Sequence, residues 1–430
     1  MILSGGIVFD EVLAPTGRRL EIWIEGEKIK AIAPRFSSKQ EPKISVKGLF
    51  VYPGFVDMHV HLREPGQTHK EDIASATLAA AAGGVTTVLA MPNTIPPLDR
   101  VERYDMVKRL CEEKAIVEVL QACAMTLERQ GKELSDFVSL KEAGCLWLTD
   151  DGSSIQEQRL IAAACETFTT TGQLWIEHPE IAFLAEGHPL HEGKVASQRG
   201  IKGQPREAES LAILQAGLLA GYYGVRIHFT HLSTWQSVEA IRLLKKWYPG
   251  LISADTCPHY LFFTEEDVAK EGYTPNKKMN PPLREERDRK ALLSALADGT
   301  LDCLTSDHAP HTAEEKSAGI EKAPFGVIGV ETLFSSLFTL ATTYSPLRKR
   351  WLSLLTTGPA SILGIERGRL SPGSIANLTV VNPDASWVVN EQNLHSRSKN
   401  SAFLGKTLRG VVLATYVRGK KVYERTSSIQ

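Results

Sequence analysis

The sequence predicts an α/β fold: a (β/α)8 TIM-like barrel with a small β-sandwich domain formed by both chain ends. Three observations carry this expectation. Eight short apolar, β-branched segments lie between residues 55 and 311, alternating with stretches of helical apolar spacing. Both chain ends hold short strands and turns with no long helix. With 430 residues, 43% of them hydrophobic, the chain is long enough for one barrel and a smaller unit.

The expected order is residues 1–50 in the small domain, 51–367 in the barrel and 368–430 completing the small domain. The eight strand segments are FVDMHVH (55–61), VTTVLAMP (85–92), IVEVLQACAM (116–125), CLWLTDD (145–151), LWIEHP (174–179), VRIHFTHLS (225–233), LISADTCPHYL (251–261) and DCLTSDHAPH (302–311). Helix-like stretches such as 71–84 and 206–224 each end at glycine, a common helix stop. The ends read differently. IVFDEVL, LEIWIEGEKIKAIA and ISVKGLFVYP at the start, with SIANLTVVNP and TLRGVVLATYVRGKKVYE near the finish, are strands that are expected to meet in one small sheet unit.

Composition narrows the function classes. The formal net charge is −1 and no block of like charge appears, which argues against nucleic acid or an anionic membrane surface as partner. No apolar run reaches the roughly 18–20 residues of a membrane helix. The first residues lack a basic stretch followed by a long apolar one, so no secretory leader is expected. Six cysteines are scattered without a CxxC pair and several sit in apolar segments. They are expected to be reduced and buried, in a cytoplasmic compartment.

The chemistry concentrates at the strand ends. His59 and His61 are two apart on the first strand, so both imidazoles share a face at the end where active sites of such barrels lie. An isolated pair of this kind can simply share a strand face. Here, though, Asp150 and Asp151 end the fourth segment, His178 the fifth, His231 the sixth and Asp307 the eighth. Barrel closure brings these ends together. Imidazoles and carboxylates without cysteine suit zinc, with cobalt or manganese as alternatives, in a site that keeps positions open for water. Zinc lowers the pKa of bound water to about 7, and a carboxylate must then take and return the proton. Asp307 is the candidate, since it closes the barrel beside the first strand. Arg63, just past the histidine pair, can hold a carboxylate by a two-pronged hydrogen bond. Asn93, Asn280 and His311 are further polar residues near the strand ends.

These residues are recognisable together. PGFVDMHVHLREPGQTHKEDI resembles the signature of the cyclic amidohydrolases, and most resembles that of dihydroorotases. AAGGVTTVLAMPNTIP, LTDDGSS, THLST, KMNPPLR, TSDHAPHTAEEK, KAPFGVIGVET and SKNSAFLGKTLRGVV fit the same pattern, from about residue 45 to about 425. The resemblance implies a metal-dependent hydrolase barrel that catalyses the reversible cyclisation of N-carbamoyl-L-aspartate to (S)-dihydroorotate and water, in pyrimidine biosynthesis. It implies one or two zinc ions held by His59, His61, Asp151, His178, His231 and Asp307. Asp151 would bridge two metals where relatives use a carboxylated lysine, and Asp307 would be the catalytic acid/base. It implies substrate contacts from His61, Arg63, Asn93, Asn280 and His311, and from the backbone of Phe325 and Gly326. Dihydropyrimidinase, hydantoinase and allantoinase are alternatives within the superfamily, and Arg63, Asn93 and His311 favour a substrate with a free carboxylate. A homodimer, association with aspartate transcarbamoylase, and a noncatalytic or partner-dependent homologue are the partner readings. Three departures from the family pattern stand out: Pro179-Glu180-Ile181 after His178, Asp255 where Glu is usual, and Asn377 where Asp is common. None is expected to touch a proposed ligand.

Overall fold

In the computed structural model, which describes residues 1–37 and 41–426, the eight apolar segments form two parallel sheets that join into a ring. One sheet contains Phe55–Val60, Val85–Ala90 and Glu118–Gln121. The other contains Trp147–Leu148, Leu174–Glu177, Ile227–Phe229, Ile252–Thr256 and Cys303–Leu304, in that order. A parallel bridge of Cys123 to Leu148 links the sheets at one junction, and Val60 to His308 closes the other. At the closing junction the His61 amide donates to the His308 carbonyl at 2.9 Å. The fully buried Phe55–Val60 and Val85–Ala90 strands are covered on both faces, which is why they read as continuous apolar runs.

Several strands are shorter than their segments, for local reasons. The fourth and eighth keep two residues each before the chain turns into the mouth of the barrel. In LISADTCPHYL the strand stops at Thr256 and a short helix, Pro258–Phe262, follows. Pro258 has no amide hydrogen to give a ladder and suits the first turn of a helix. The helix expected over 206–224 runs Glu207–Tyr223 and ends on Gly224 at φ 71°. The one expected over 71–84 runs Ile73–Ala82, with the Asp72 carboxylate accepting from the Ser75 amide at its start.

The two chain ends interleave. A six-stranded sheet has the order Lys420–Glu424, Thr407–Val417, Leu378–Val388, Phe50–Pro53, Ile7–Asp10, Ala14–Arg19. Leu378 to Val381 pair antiparallel with Pro53 to Phe50, and Ile7 and Val8 pair parallel with Phe50 and Val51. The strand Phe50–Pro53 thus crosses the boundary expected between residues 50 and 51. A second sheet, made of Lys28–Ala33, Glu21–Glu25, Ile2–Ser4 and Lys43–Ser45, comes from the N-terminal end alone. Leu3, Val8, Ile22, Ile29, Leu378, Val380 and Tyr416 fill the space associated with these strands. Gly84 marks where this unit meets the barrel: its φ is 81°, and a Cβ there would sit 2.5 Å from Thr379 Cγ2.

After Val388 the chain travels to the barrel mouth before it rejoins the sheet. Ser396 and Arg397 donate to Glu71, and Asn400 Oδ1 accepts from the His311 amide at 3.2 Å. All six cysteines are free and buried, as expected. Among the described residues, no helix is long and apolar enough to cross a membrane.

Candidate metal centre

The pleat of the first strand turns His59 and His61 to one side, and both imidazoles meet carboxylates from other strand ends. His59 Nε2 is 3.3 Å from Asp151 Oδ1 and 3.5 Å from Asp307 Oδ1. His61 Nε2 is 3.3 Å from Asp307 Oδ1 and 3.6 Å from Asp151 Oδ2. From the other side, His178 Nδ1 and His231 Nε2 lie 3.7 and 3.6 Å from Asp151 Oδ1. The result is two triads, His59–His61–Asp151 and Asp151–His178–His231, whose ligand-type atoms each lie within 4.8 Å of one another. Asp151 belongs to both. His231 and Asp307 each adopt φ 44°, a left-handed backbone that turns their side chains out of the strand direction and into this space.

The donor set fits a cation. His59 Nε2 and Asp151 Oδ1 are buried and have no hydrogen-bond partner, an expensive condition unless something else satisfies them. His178 Nδ1 and His231 Nε2 stand 2.9 Å apart, two ring nitrogens that only a proton or a cation can reconcile. Burial opposes ionisation of Asp307, yet the hydrogen bond from His61 and the charge of His59 and His231 hold its carboxyl well below the usual range. Asp151 is likewise held low against burial, first by His59. Burial also opposes charge on His59, but Asp151 and Asp307 raise it to about 10. Anions this stable and this enclosed favour a positive charge between them.

The polar residues around the mouth join the same cluster. Asn93 Oδ1 lies 2.8 Å from His61 Nδ1, and Asn280 Nδ2 3.3 Å from His178 Nε2. The Arg63 guanidinium donates to the Pro310 carbonyl and to His311 Nε2, at 3.2 and 3.3 Å. Burial, then Arg63 and Lys70, push His311 down to about 3, so its ring is neutral and can accept from Arg63. Phe325 is set apart: it is half-buried beneath the Lys278 amine, 4.5 Å from its ring centre. The Gly326 amide donates to the Lys278 carbonyl at 3.0 Å and its carbonyl accepts from Asn400.

Two of the three departures correct the expectation that none meets a proposed ligand. Asp255 Oδ1 accepts from the His231 amide at 2.6 Å. Glu180 Oε2 lies 3.6 Å from His178 Nε2 and accepts from Asn280 at 2.7 Å. Only Asn377 is remote, donating to Glu118 at 2.9 Å. Sequence reasoning also missed Thr230, whose hydroxyl is 2.8 Å from His59 Nδ1, and Asn400 from the distant tail. The signal for Asp255 was a carboxylate inside an apolar strand segment, where an unpaired charge is costly. Asn400 had no local signal, because its position depends on the route of the tail.

Comparison with known proteins resolves which barrel enzymes these residues belong with. A family model described as Dihydro-orotase-like matches residues 48–237. A dihydroorotase of Shouchella clausii is 40% identical over 427 residues, covering 99% of this chain and 98% of that one. The chain belongs to the dihydroorotase family. A dihydroorotase of Aquifex aeolicus is 38% identical over 425 residues, with 99% of each chain covered. Solved structures agree on the fold: an L-hydantoinase from Arthrobacter aurescens superposes with a TM-score of 0.87 at 24% identity, over 100% of this chain and 97% of that one. A dihydropyrimidinase from Brevibacillus agri gives 0.84 at 20% identity, over 98% and 95%. At such identity these two speak for the barrel and its β-sheet companion alone. Membership of the dihydroorotase family, with the two His/Asp triads, points to a divalent metal as the cofactor of this enzyme.

Proposed function

We propose that this enzyme is a dihydroorotase, interconverting N-carbamoyl-L-aspartate and (S)-dihydroorotate with water. The observation that carries the reading is Asp151, one carboxylate shared by two buried histidine pairs, with Arg63 and His311 a short distance further out. His59, His61, Asp151 and Asp307 would hold one ion, and Asp151, His178 and His231 a second. Nitrogen and oxygen donors without thiolate make zinc the ion of choice. When bound, the ion polarises the ring carbonyl and acidifies a water.

The protein's own groups supply the rest. Asp307, ionised in its present surroundings, accepts the proton of the attacking water and returns it to the ring nitrogen as the amide bond opens. In ring closure the steps run in reverse: the Asp307 carboxylate accepts the proton of the attacking nitrogen and gives it to the oxygen that departs. Arg63 offers paired N–H donors to the substrate carboxylate, with neutral His311 and the Asn93 amide beside it. Asn280, with its amide between His178 and Glu180, borders the other side; the backbone of Phe325 and Gly326 would join it only if the Gly326 amide exchanged the Lys278 carbonyl for substrate.

Hydantoinase or allantoinase activity is the second reading, favoured by the shared barrel; the caged guanidinium argues for a substrate that carries a carboxylate. Zinc-loaded protein should hydrolyse dihydroorotate in preference to dihydrouracil and allantoin, and the reverse preference would overturn the assignment. Asp307→Ala should abolish turnover with the fold retained; near-full activity would remove Asp307 from the proton-transfer role. A cytoplasmic location and a homodimer belong to the same proposal, as does docking to aspartate transcarbamoylase. Sedimentation of the chain alone and mixed with that enzyme tests both assemblies.

A further inference from the structure

We infer that Asp255, acting in part through Thr230, is a positioning residue for both halves of the metal centre. The inference rests on the reading above that His59 and His231 hold metal. Asp255 lies on the seventh strand, inside the barrel and fully buried. Its carboxylate makes three kinds of contact. Oδ2 is 2.9 Å from His228 Nε2, Oδ1 is 2.6 Å from the His231 amide, and both oxygens lie 3.3–3.4 Å from the Thr230 hydroxyl. Thr230 Oγ1 is in turn 2.8 Å from His59 Nδ1. One carboxylate therefore reaches a histidine of each triad, by the backbone of His231 and by the side chain of His59.

The direction of the hydrogen bonds follows from what each group can do. An ionised carboxylate only accepts. The single Thr230 proton therefore points at Asp255, and the hydroxyl lone pair is left for His59. With a metal at Nε2, His59 would then keep its one remaining proton on Nδ1, held toward the Thr230 hydroxyl, and turn the Nε2 lone pair to the ion. Nε2 is the nitrogen facing Asp151 and Asp307, and the one with no hydrogen-bond partner. Metal-ligating histidines commonly have their tautomer fixed by a carboxylate or carbonyl on the far nitrogen; here the carboxylate works through a hydroxyl. At His231 the same carboxylate acts on the main chain. It caps the amide of a residue held at φ 44°, the conformation that turns the ring toward Asp151.

A purely structural ion pair does not account for this pattern. His228 has its own second partner, Ser253 Oγ at 2.9 Å, so the His228–Asp255 contact is closed on its far side. The remaining bonds of Asp255 all run toward the centre. Cys303 lies in the same cluster as His228 and Asp255, but its thiol faces Met58 Sδ at 3.7 Å, and the other two already bond each other, so no separate cation site forms there.

The test measures zinc affinity by competition with a chromogenic chelator, for wild type, Thr230→Ser, Thr230→Val and Asp255→Asn, beside the melting temperature of each protein in chelator. Thr230→Ser keeps the hydroxyl and should bind like wild type. Thr230→Val should lose affinity by about 10–100-fold with an unchanged metal-free melting temperature. Asp255→Asn should lose at least as much, and combining it with Thr230→Val should add less than the sum of the two effects. If wild type binds zinc and Thr230→Val binds it equally well, the relay is wrong and the metal centre stands. If wild type binds no zinc, the centre and the relay fall together. Should Asp255→Asn not fold, the Thr230 pair still decides.

Discussion

A half-buried carboxylate and a fully enclosed one occupy opposite ends of this barrel, and their surroundings could hardly be less alike. Glu118, at the start of the third strand, accepts from the Thr87 hydroxyl at 3.1 Å, Asn377 at 2.9 Å, and Arg367 at 2.5 and 2.8 Å; Arg418 adds a contact at 3.1 Å. Burial opposes its charge, and the two guanidinium groups override it. Asp151, at the mouth, lies 3.3–3.7 Å from four imidazoles, and its Oδ1 has no hydrogen bond at all. Glu118 is finished: its donors fix a barrel strand to residues of the tail. Asp151 is enclosed without being satisfied, which is what the proposed metal-holding role requires of it.

The sharpest way to break the comparison is to neutralise Asp151. Asp151→Asn should cut dihydroorotate turnover by about 10³-fold or more per folded molecule, because it removes the carboxylate shared by both triads. A steep loss of melting temperature with activity intact would make Asp151 another Glu118. The converse change, Glu118→Ala, should cost about 3 kcal/mol in a denaturant titration, because it strands Arg367, yet leave activity per folded molecule unchanged.

The cations sharpen the contrast. Arg367 is locked to a carboxylate, whereas Arg63 has no carboxylate partner among the described residues and bonds a carbonyl and a neutral ring instead. Arg63→Lys should raise KM for dihydroorotate by roughly 10–100-fold with a smaller change in kcat, because a point charge replaces a fork. Initial-rate kinetics checks this. The smallest effect concerns another buried carboxylate, Glu265. Its Oε2 has no hydrogen-bond partner, and burial raises its pKa to about 7. An unfolded Glu titrates near 4.3, so the folded chain keeps a proton that the unfolded chain releases between about 4.3 and 7. This group's contribution to stability therefore falls as pH rises through that window and is level above it. Glu265→Gln should remove that decline, seen as a flatter dependence of melting temperature on pH.

What could be read from the sequence follows from range. Strand alternation, glycine stops and the two-residue spacing of His59 and His61 are local patterns, so the barrel and most of the cluster were legible there. The second layer was not. Thr230 reads as an ordinary strand threonine until the seventh strand brings Asp255 beside it, and Glu180 looked like a departure until Asn280 arrived from 100 residues away. Pro258, by contrast, was legible and overlooked: a proline after SADTC ends a strand by its own chemistry.

The pairing of Phe50–Pro53 with Leu378–Val381 has a consequence for biosynthesis. A chain emerging from the ribosome starts with strands whose neighbour in the sheet is translated more than 300 residues later. Until then those early strands wait with an open edge, the kind of surface that invites aggregation. Asn400, which braces His311, arrives later still. The strand ends that carry His59, His178, His231 and Asp307 are thus translated before the residue that braces the mouth at His311.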